Sequence, residues 1–325
     1  LRLENCYWFS WIFEREMPAN STDKEIFIAR ATSPTETDKY KDMRIKNSMP
    51  SSHAKRHQSS IKPTLFGVFQ KLTGKRTPLL AVRGQPRQRL HFDAADFSAI
   101  YAIGDIHGCY SKLLEAERKI FEDFSRCTGT ALIVMLGDYV DRGSSSKDVV
   151  EHLCKPTPEN IKQVTLCGNH DDAFLRLLEE PGLFPSWYRF AGMETLKSYG
   201  IDVTYLLKHG SKRAIERAIS DAIPAHHKKL LAEMPSMVTV GDIVFVHAGI
   251  RPGIALSEQR DRDLFWIREP FLTRGPELPL LVVHGHTPVA QPFFGNGRIA
   301  IDTGAFATGK LTVLRIMNRQ AIVLR

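Results

Sequence analysis

Residues 131–143 read ALIVMLGDYVDRG, six apolar residues from Ala131 to Leu136 halted by Gly137 and Asp138 and followed by Asp141 and Arg142. A run this short, rich in branched side chains and closed by a turn former, predicts a strand buried on both faces. The same texture recurs in Ala99–Ile103 (AIYAI), Gln163–Leu166 (QVTL), Ile243–Val246 (IVFV) and Leu280–Val283 (LLVV). Between the first two runs, Leu113, Leu114, Ile120, Phe121 and Phe124 fall at helical spacing and predict a helix over Ser111–Phe124. Asp172–Leu178 predicts a second helix after the third run. Buried strands alternating with helices make the fold class α/β. Arg298–Ile301, Leu311–Ile316 and Ala321–Leu324 are expected to close the chain as consecutive antiparallel strands.

Each buried run ends in residues that can bind a metal. The five ends are Gly104-Asp105-Ile106-His107-Gly108, Gly137-Asp138-Tyr139-Val140-Asp141-Arg142-Gly143, Gly168-Asn169-His170-Asp171, His247-Ala248-Gly249 and His284-Gly285-His286-Thr287-Pro288. Any one of them alone is better explained as a turn cap. Five in succession point to one shared site, because the loops at strand carboxyl ends converge and flanking glycines let backbone approach closely. Carboxylate, amide and imidazole donors without thiolate suit manganese, iron or zinc. Six or so ligands exceed what one catalytic ion with open positions accepts. Two divalent ions about 3.5–4 Å apart, sharing one carboxylate, fit the set.

In this order, the segments GDIHG, GDYVDRG, GNHD, HAG and GHTP resemble the phosphoprotein phosphatase family of calcineurin-like metallophosphoesterases. Phe265-Trp266-Ile267-Arg268-Glu269 and Ile301-Asp302-Thr303-Gly304-Ala305 extend the resemblance to its compact bacterial and bacteriophage branch, over roughly residues 99–317. The resemblance implies a four-layer α-β-β-α sandwich with the metal site at the strand carboxyl ends. It implies that Asp105 and His107 bind one ion, that Asp138 bridges, and that Asn169, His247 and His286 hold the other. A hydroxide between the ions would attack phosphorus, and manganese is the favoured metal, with iron and zinc as alternatives. His170, oriented by Asp141, would be the general acid, and Arg142, Arg268 and Asn169 would grip the phosphate. His284 matches no ligand and is expected to support the site or simply to be a satisfied strand-end histidine. Where the family has arginine before this GNH and glutamate after it, this chain has Cys167 and Asp171, which removes a supporting positive charge.

The leading function is therefore a serine/threonine protein phosphatase, whose partner is a phosphorylated protein or peptide. The runner-up is a bis(5′-nucleosyl)-tetraphosphatase. The symmetrically cleaving branch of such enzymes typically has Gln and Ala where this chain has His107 and Asp141, so an asymmetrically cleaving relative is the form left open. A non-catalytic binding protein on this fold is the alternative of another class, and the complete set of ligands, acid and arginines opposes it.

Charge and composition bound the rest. The 325 residues are 43% hydrophobic and 25% charged, with a formal charge of +8. That mix excludes collagen-like, coiled-coil and wholly disordered chains. Residues 1–98 hold 17 basic and 10 acidic residues, while the other 227 hold 27 and 26. The basic excess thus belongs to residues 1–98, expected to be a largely disordered leader and linker, with the catalytic domain at 99–325 and a helical cap inserted at 181–235. No nucleic-acid partner is expected, since the body is nearly neutral. Five scattered cysteines form no CxxC pair, which suits a reducing cytoplasm, a reactive thiol at Cys167 being the alternative. No apolar run reaches membrane-spanning length, so no membrane association is expected; interfacial anchoring by Tyr7–Phe13 is the alternative. The chain begins with Leu, which leaves open a fragment or a start at Met17 or Met43.

Overall fold

The computed structural model describes residues 86–325 apart from 191–192, together with the backbone of two short strands further upstream. In chain order the strands are β1 (Ser10–Glu14), β2 (Ile26–Arg30), β3 (Arg89–Phe92), β4 (Ala99–Ile103), β5 (Ala131–Met135), β6 (Ile161–Thr165), β7 (Met237–Val240), β8 (Ile243–Val246), β9 (Leu281–His284), β10 (Phe293–Gly295), β11 (Arg298–Ala300), β12 (Val313–Met317) and β13 (Gln320–Val323). The first helices are α1 (Tyr110–Phe124), α2 (Ser146–Leu153) and α3 (Asn169–Glu179). The segment expected as a cap holds α4 (Phe184–Phe190), α5 (Met193–Ser198), α6 (Val203–His209), α7 (Lys212–Ala222) and α8 (Ala225–Glu233). Three short helices follow, α9 (Asp261–Trp266), α10 (Phe271–Arg274) and α11 (Ala305–Thr308).

Among the described residues the strands form two sheets, ordered β2-β1-β13-β12-β4-β5-β6 and β10-β11-β9-β8-β7-β3. Side chains alternate across each strand, so one sequence run serves two cores. Ile100, Ala102, Leu132 and Val134 join Val238, Phe245, Val283 and Ile299 between the sheets. Tyr101, Ile103, Ile133 and Met135 instead join Leu113 and Ile120 of α1 and Val149 and Leu153 of α2. Val244, Val246 and Val282 of the second sheet cluster with Leu264 of α9 and Phe271 of α10. The result is helix, sheet, sheet, helix. Burial on both faces explains the unbroken apolar runs, and each buried Val, Leu or Ile contributes roughly 1.5–3 kcal/mol.

Register carries this architecture to the site. β4, β5 and β6 are parallel, with Ile103 opposite Met135 and Met135 opposite Thr165. β8 and β9 are parallel too, with Val246 opposite His284. The carboxyl ends of these strands are therefore level, and the five metal-binding segments leave from neighbouring points.

Two expectations need correction. The last three strands are not one consecutive antiparallel unit: β12 and β13 pair antiparallel, but β11 lies in the other sheet, parallel to β9. Local patterning marks a strand without saying which sheet will pair with it. The boundary expected at residue 99 also falls inside the sheet system, since Arg89–Phe92 pairs with β7 along its length. Upstream, β1 pairs antiparallel with β2 and parallel with β13. The remainder of the predicted leader lies outside the described residues. Among those described, no helix is long and apolar enough to cross a membrane.

Candidate active site

The turns after β4, β5 and β9 place their polar side chains by adopting left-handed backbone. His107, Asp138, Asp141, Arg142 and His286 all have positive φ, between 44° and 70°. Such a conformation costs a non-glycine residue roughly 1–3 kcal/mol and persists only where the surroundings enforce it. The consecutive pair at Asp141 and Arg142 aims the carboxylate inward and the guanidinium into the cleft. Glycines make the close approaches: a Cβ on Gly168 would stand 2.2 Å from Asp138 Oδ1, and one on Gly285 2.0 Å from Asp105 Oδ1.

The predicted ligands converge. Asp105, His107, Asp138, Asn169 and His247 are each at most 2% exposed. His107 Nδ1 donates to the Val140 carbonyl at 2.8 Å, which leaves Nε2 facing Asp138 Oδ2 at 3.4 Å. His247 Nδ1 donates to the Leu136 carbonyl, so its Nε2 presents a lone pair 2.9 Å from Asn169 Oδ1 and 3.5 Å from Asp138 Oδ1. His286 Nδ1 lies 2.9 Å from the same Asn169 oxygen and 3.2 Å from His247 Nε2. Asp105 accepts the His286 backbone N–H, at 3.2 Å on Oδ1 and 3.1 Å on Oδ2.

This donor set fits cations. His107 Nε2 and Asp302 Oδ2 are buried without a hydrogen-bond partner, which is costly unless something electropositive faces them. Burial, with Asp302 and Asp138 close by, pushes the Asp105 carboxyl well above its usual range. Burial would also raise Asp138, but His247, His170, His107 and His286 together hold it below the usual carboxylate range. Burial drives His107 down to about 3 and His286 down to about 2, so both present neutral imidazoles. Two groups of potential ligand atoms, His107–Asp138–His170 and Asp138–His247–His286, share Asp138. Asp138 is the one carboxylate common to these two groups.

Beside these side chains stands a buried imidazole–carboxylate pair. His170 Nδ1 is 2.7 Å from Asp141 Oδ2, and Arg142 Nη2 reaches to 3.3 Å from His170 Nε2. Burial alone would lower the His170 pKa, but Asp138 and the hydrogen bond to Asp141 outweigh it and raise it. Above them opens a cleft of about 580 Å³, lined by Arg142, Asn169, His170 and His286 on its floor and by Arg251, Arg260, Arg262 and Arg268 around it. Phe190 and Trp266 form part of its wall, their ring centres 5.6 Å apart.

A profile of the calcineurin-like phosphoesterase family matches residues 98–302, the span that carries every one of these side chains. The chain belongs to the calcineurin-like phosphoesterases. Its relatives include a bis(5′-nucleosyl)-tetraphosphatase PrpE [asymmetrical] of Anoxybacillus flavithermus, 26% identical over 240 residues, covering 68% of this chain and 91% of that one. The protein of the same name from Halalkalibacterium halodurans is 25% identical, covering 66% of this chain and 88% of that one. A solved structure described as a candidate diadenosine tetraphosphatase superposes with a TM-score of 0.51 at 18% identity, over 73% of this chain and 97% of that one, and shows the shared fold.

Several parts of this phosphoesterase site were not legible in the sequence. The Thr195 hydroxyl donates to Asp141 Oδ1 at 2.6 Å and accepts the Asp141 backbone N–H at 2.8 Å, fixing the carboxylate from 54 residues away. Phe190 stacks on the His170 ring at 4.4 Å, and Phe306 lies under the Arg142 guanidinium, 4.7 Å from ring centre to Cζ. Asp171 accepts three backbone N–H groups, from Asp138 at 2.7 Å and from Tyr139 and Gly168 at 2.9 Å, and so ties two ligand-bearing turns together. Its position in the first turn of α3, three residues after Gly168, was an available signal.

Two sequence questions also resolve. His284 is fully buried; its Nδ1 donates to the Gly285 carbonyl and its Nε2 accepts from Arg298 Nη1 at 3.3 Å, as in a satisfied strand-end histidine. Burial holds the Cys167 thiol well above its usual pKa, which opposes a reactive thiolate there. The positive charge absent at position 167 has a counterpart in Arg87, whose buried guanidinium meets Asp172 Oδ1 at 3.0 Å behind the site.

Proposed function

We propose that the protein is a metal-dependent hydrolase of bis(5′-nucleosyl) polyphosphates, splitting a tetraphosphate unequally into a mononucleotide and a nucleoside triphosphate. The arginine-lined cleft carries this reading. One phosphomonoester would be held by Arg142 and Arg268, and Arg251, Arg260 and Arg262 are in excess of that need. Among the described residues, Arg142, Arg260, Arg262 and Arg268 have no carboxylate within ion-pairing distance, whereas Arg251 pairs with Asp263 at 3.0 Å. Unpaired guanidinium groups spaced along a cleft match a chain of phosphates, each carrying negative charge. Phe190 and Trp266 offer the aromatic surface on which a base stacks. The names of the relatives agree with this assignment.

Asp105, His107, Asp138, Asn169, His247 and His286 would hold two divalent cations, which when bound supply an activated water and neutralise the phosphoryl oxygens. The protein's own groups do the rest. Arg142 and Arg268 orient the scissile phosphoryl group, Thr195 holds Asp141, and Asp141 keeps the Nδ1 proton of His170 so that Nε2 faces the departing oxygen. Water adds to phosphorus, one P–O–P link breaks, and the released phosphate oxygen takes a proton from His170 or from solvent.

The phosphoserine and phosphothreonine protein reading has one observation in its favour, the His170–Asp141 pair. A serine alkoxide departs only with a proton, whereas a triphosphate is weakly basic and departs readily without one. A single assay with manganese decides between them, using diadenosine tetraphosphate, a phosphoserine peptide and a phosphotyrosine peptide. The expected result is AMP and ATP, with kcat/KM at least about ten-fold above either peptide, a preference of about 1.4 kcal/mol. A preference for a phosphopeptide overturns the polyphosphate reading and leaves the hydrolase chemistry standing.

A further inference from the structure

Away from the cleft, α2 and α8 bring together a second set of metal-binding side chains. α2 carries Glu151 and is capped by Cys154, and α8 carries His226 and His227. Glu151 Oε2 lies 3.0 Å from His226 Nε2 and 2.8 Å from His227 Nε2. One ligand atom from each of Cys154, His226 and His227 lies within 4.8 Å of the other two. His227 is fully buried, and its other ring nitrogen is 2.8 Å from the Tyr199 hydroxyl, the kind of outer contact that fixes a ligating imidazole.

We infer that Glu151, Cys154, His226 and His227 form a separate, zinc-class metal site that pins α2 to α8. Thiolate, two imidazoles and one carboxylate make up a four-coordinate set of the softness zinc prefers, unlike the thiol-free catalytic cradle. Bonds of about 2.0–2.3 Å put tetrahedral ligand atoms roughly 3.3–3.7 Å apart, so Cys154 and the two histidines, whose ligand atoms lie within 4.8 Å of one another, would close in around an ion, with Glu151, hydrogen-bonded to both histidines, beside them as the fourth donor. His226 is exposed and Cys154 half-buried, which leaves an entry path on one side. α2 begins at Ser146, whose hydroxyl oxygen lies 3.2 Å from both the Asp141 backbone nitrogen and Thr195 Oγ1.

The test is cobalt substitution of the full chain after removal of all metal. The catalytic cradle has no sulfur ligand, so a sulfur-to-cobalt charge-transfer absorption reports on Cys154 independently of activity. Loaded wild type is expected to show that band, with zinc binding one ion per chain beyond the catalytic pair. Cys154→Ser should lose the band and the extra ion while keeping manganese-supported cleavage of p-nitrophenyl phosphate. The exposed His226→Ala should weaken zinc binding at this site at least about ten-fold. No charge-transfer band in loaded wild type, or a band that survives in Cys154→Ser, overturns the inference, and Glu151 with its two histidines is then a hydrogen-bonded knot only.

Discussion

The floor of the cleft and its rim are made of opposite materials. The floor is buried, acidic and imidazole-rich, held by strained turns at the ends of parallel strands, and almost every polar atom there has one permitted position. The rim is exposed and arginine-rich, and it comes from α9 and its flanking loops, where a guanidinium can move to suit what it meets. A low-dielectric floor fixes the reaction, because misplacing a charge there is expensive. A solvated rim suits selection among substrates under the proposed function, because its charges each contribute modestly and are screened by salt.

The contrast can be broken most forcefully at Asp138. Asp138→Asn should cost at least about a thousand-fold in kcat and lose bound metal at the same time, as read by elemental analysis of the purified variant. Full activity in that variant would remove the bridging role. His170→Asn should retain its metal and slow phosphoserine peptides by about 10²–10⁴-fold, with much smaller losses on p-nitrophenyl phosphate and diadenosine tetraphosphate. Equal losses on all three would count against a general acid. On the rim, Arg260→Ala and Arg262→Ala should each raise KM for diadenosine tetraphosphate by about ten-fold and lessen its salt dependence, and leave p-nitrophenyl phosphate nearly unchanged. If both substrates suffer alike, the rim is part of the floor's machinery. The smallest effect is expected at Thr195→Val, a few-fold fall in kcat with KM held, since one hydrogen bond to Asp141 contributes about 1 kcal/mol.

The floor is legible in the linear sequence, and for a physical reason. Its residues sit in short segments next to their own strands, and each strand is announced by an apolar run that ends at glycine or histidine. Asp105 and His107, or Asp138 and Asp141, are held by local geometry, so their spacing survives in the linear order. Thr195, Phe190, Phe306 and Arg87 have no such local mark: each reaches the site from an element whose own pattern speaks only of packing. The same holds for β3, whose four residues Arg89–Phe92 look like part of a basic linker until β7 offers an edge.

Sequence alone was enough to determine the α/β class and to gather the polar segments at its strand ends, because burial on both faces and tight glycine turns are local demands that the residues themselves must meet, while the six candidate ligands came from a family resemblance. Tertiary structure alone decided that β11 crosses to the second sheet, that arginines of α9 and its neighbouring loops gather over the cradle, and that two helices 75 residues apart bring Glu151 and His226 into hydrogen-bond contact. These are pairings between surfaces whose local patterns are compatible with many partners, and only the packed chain selects one of them.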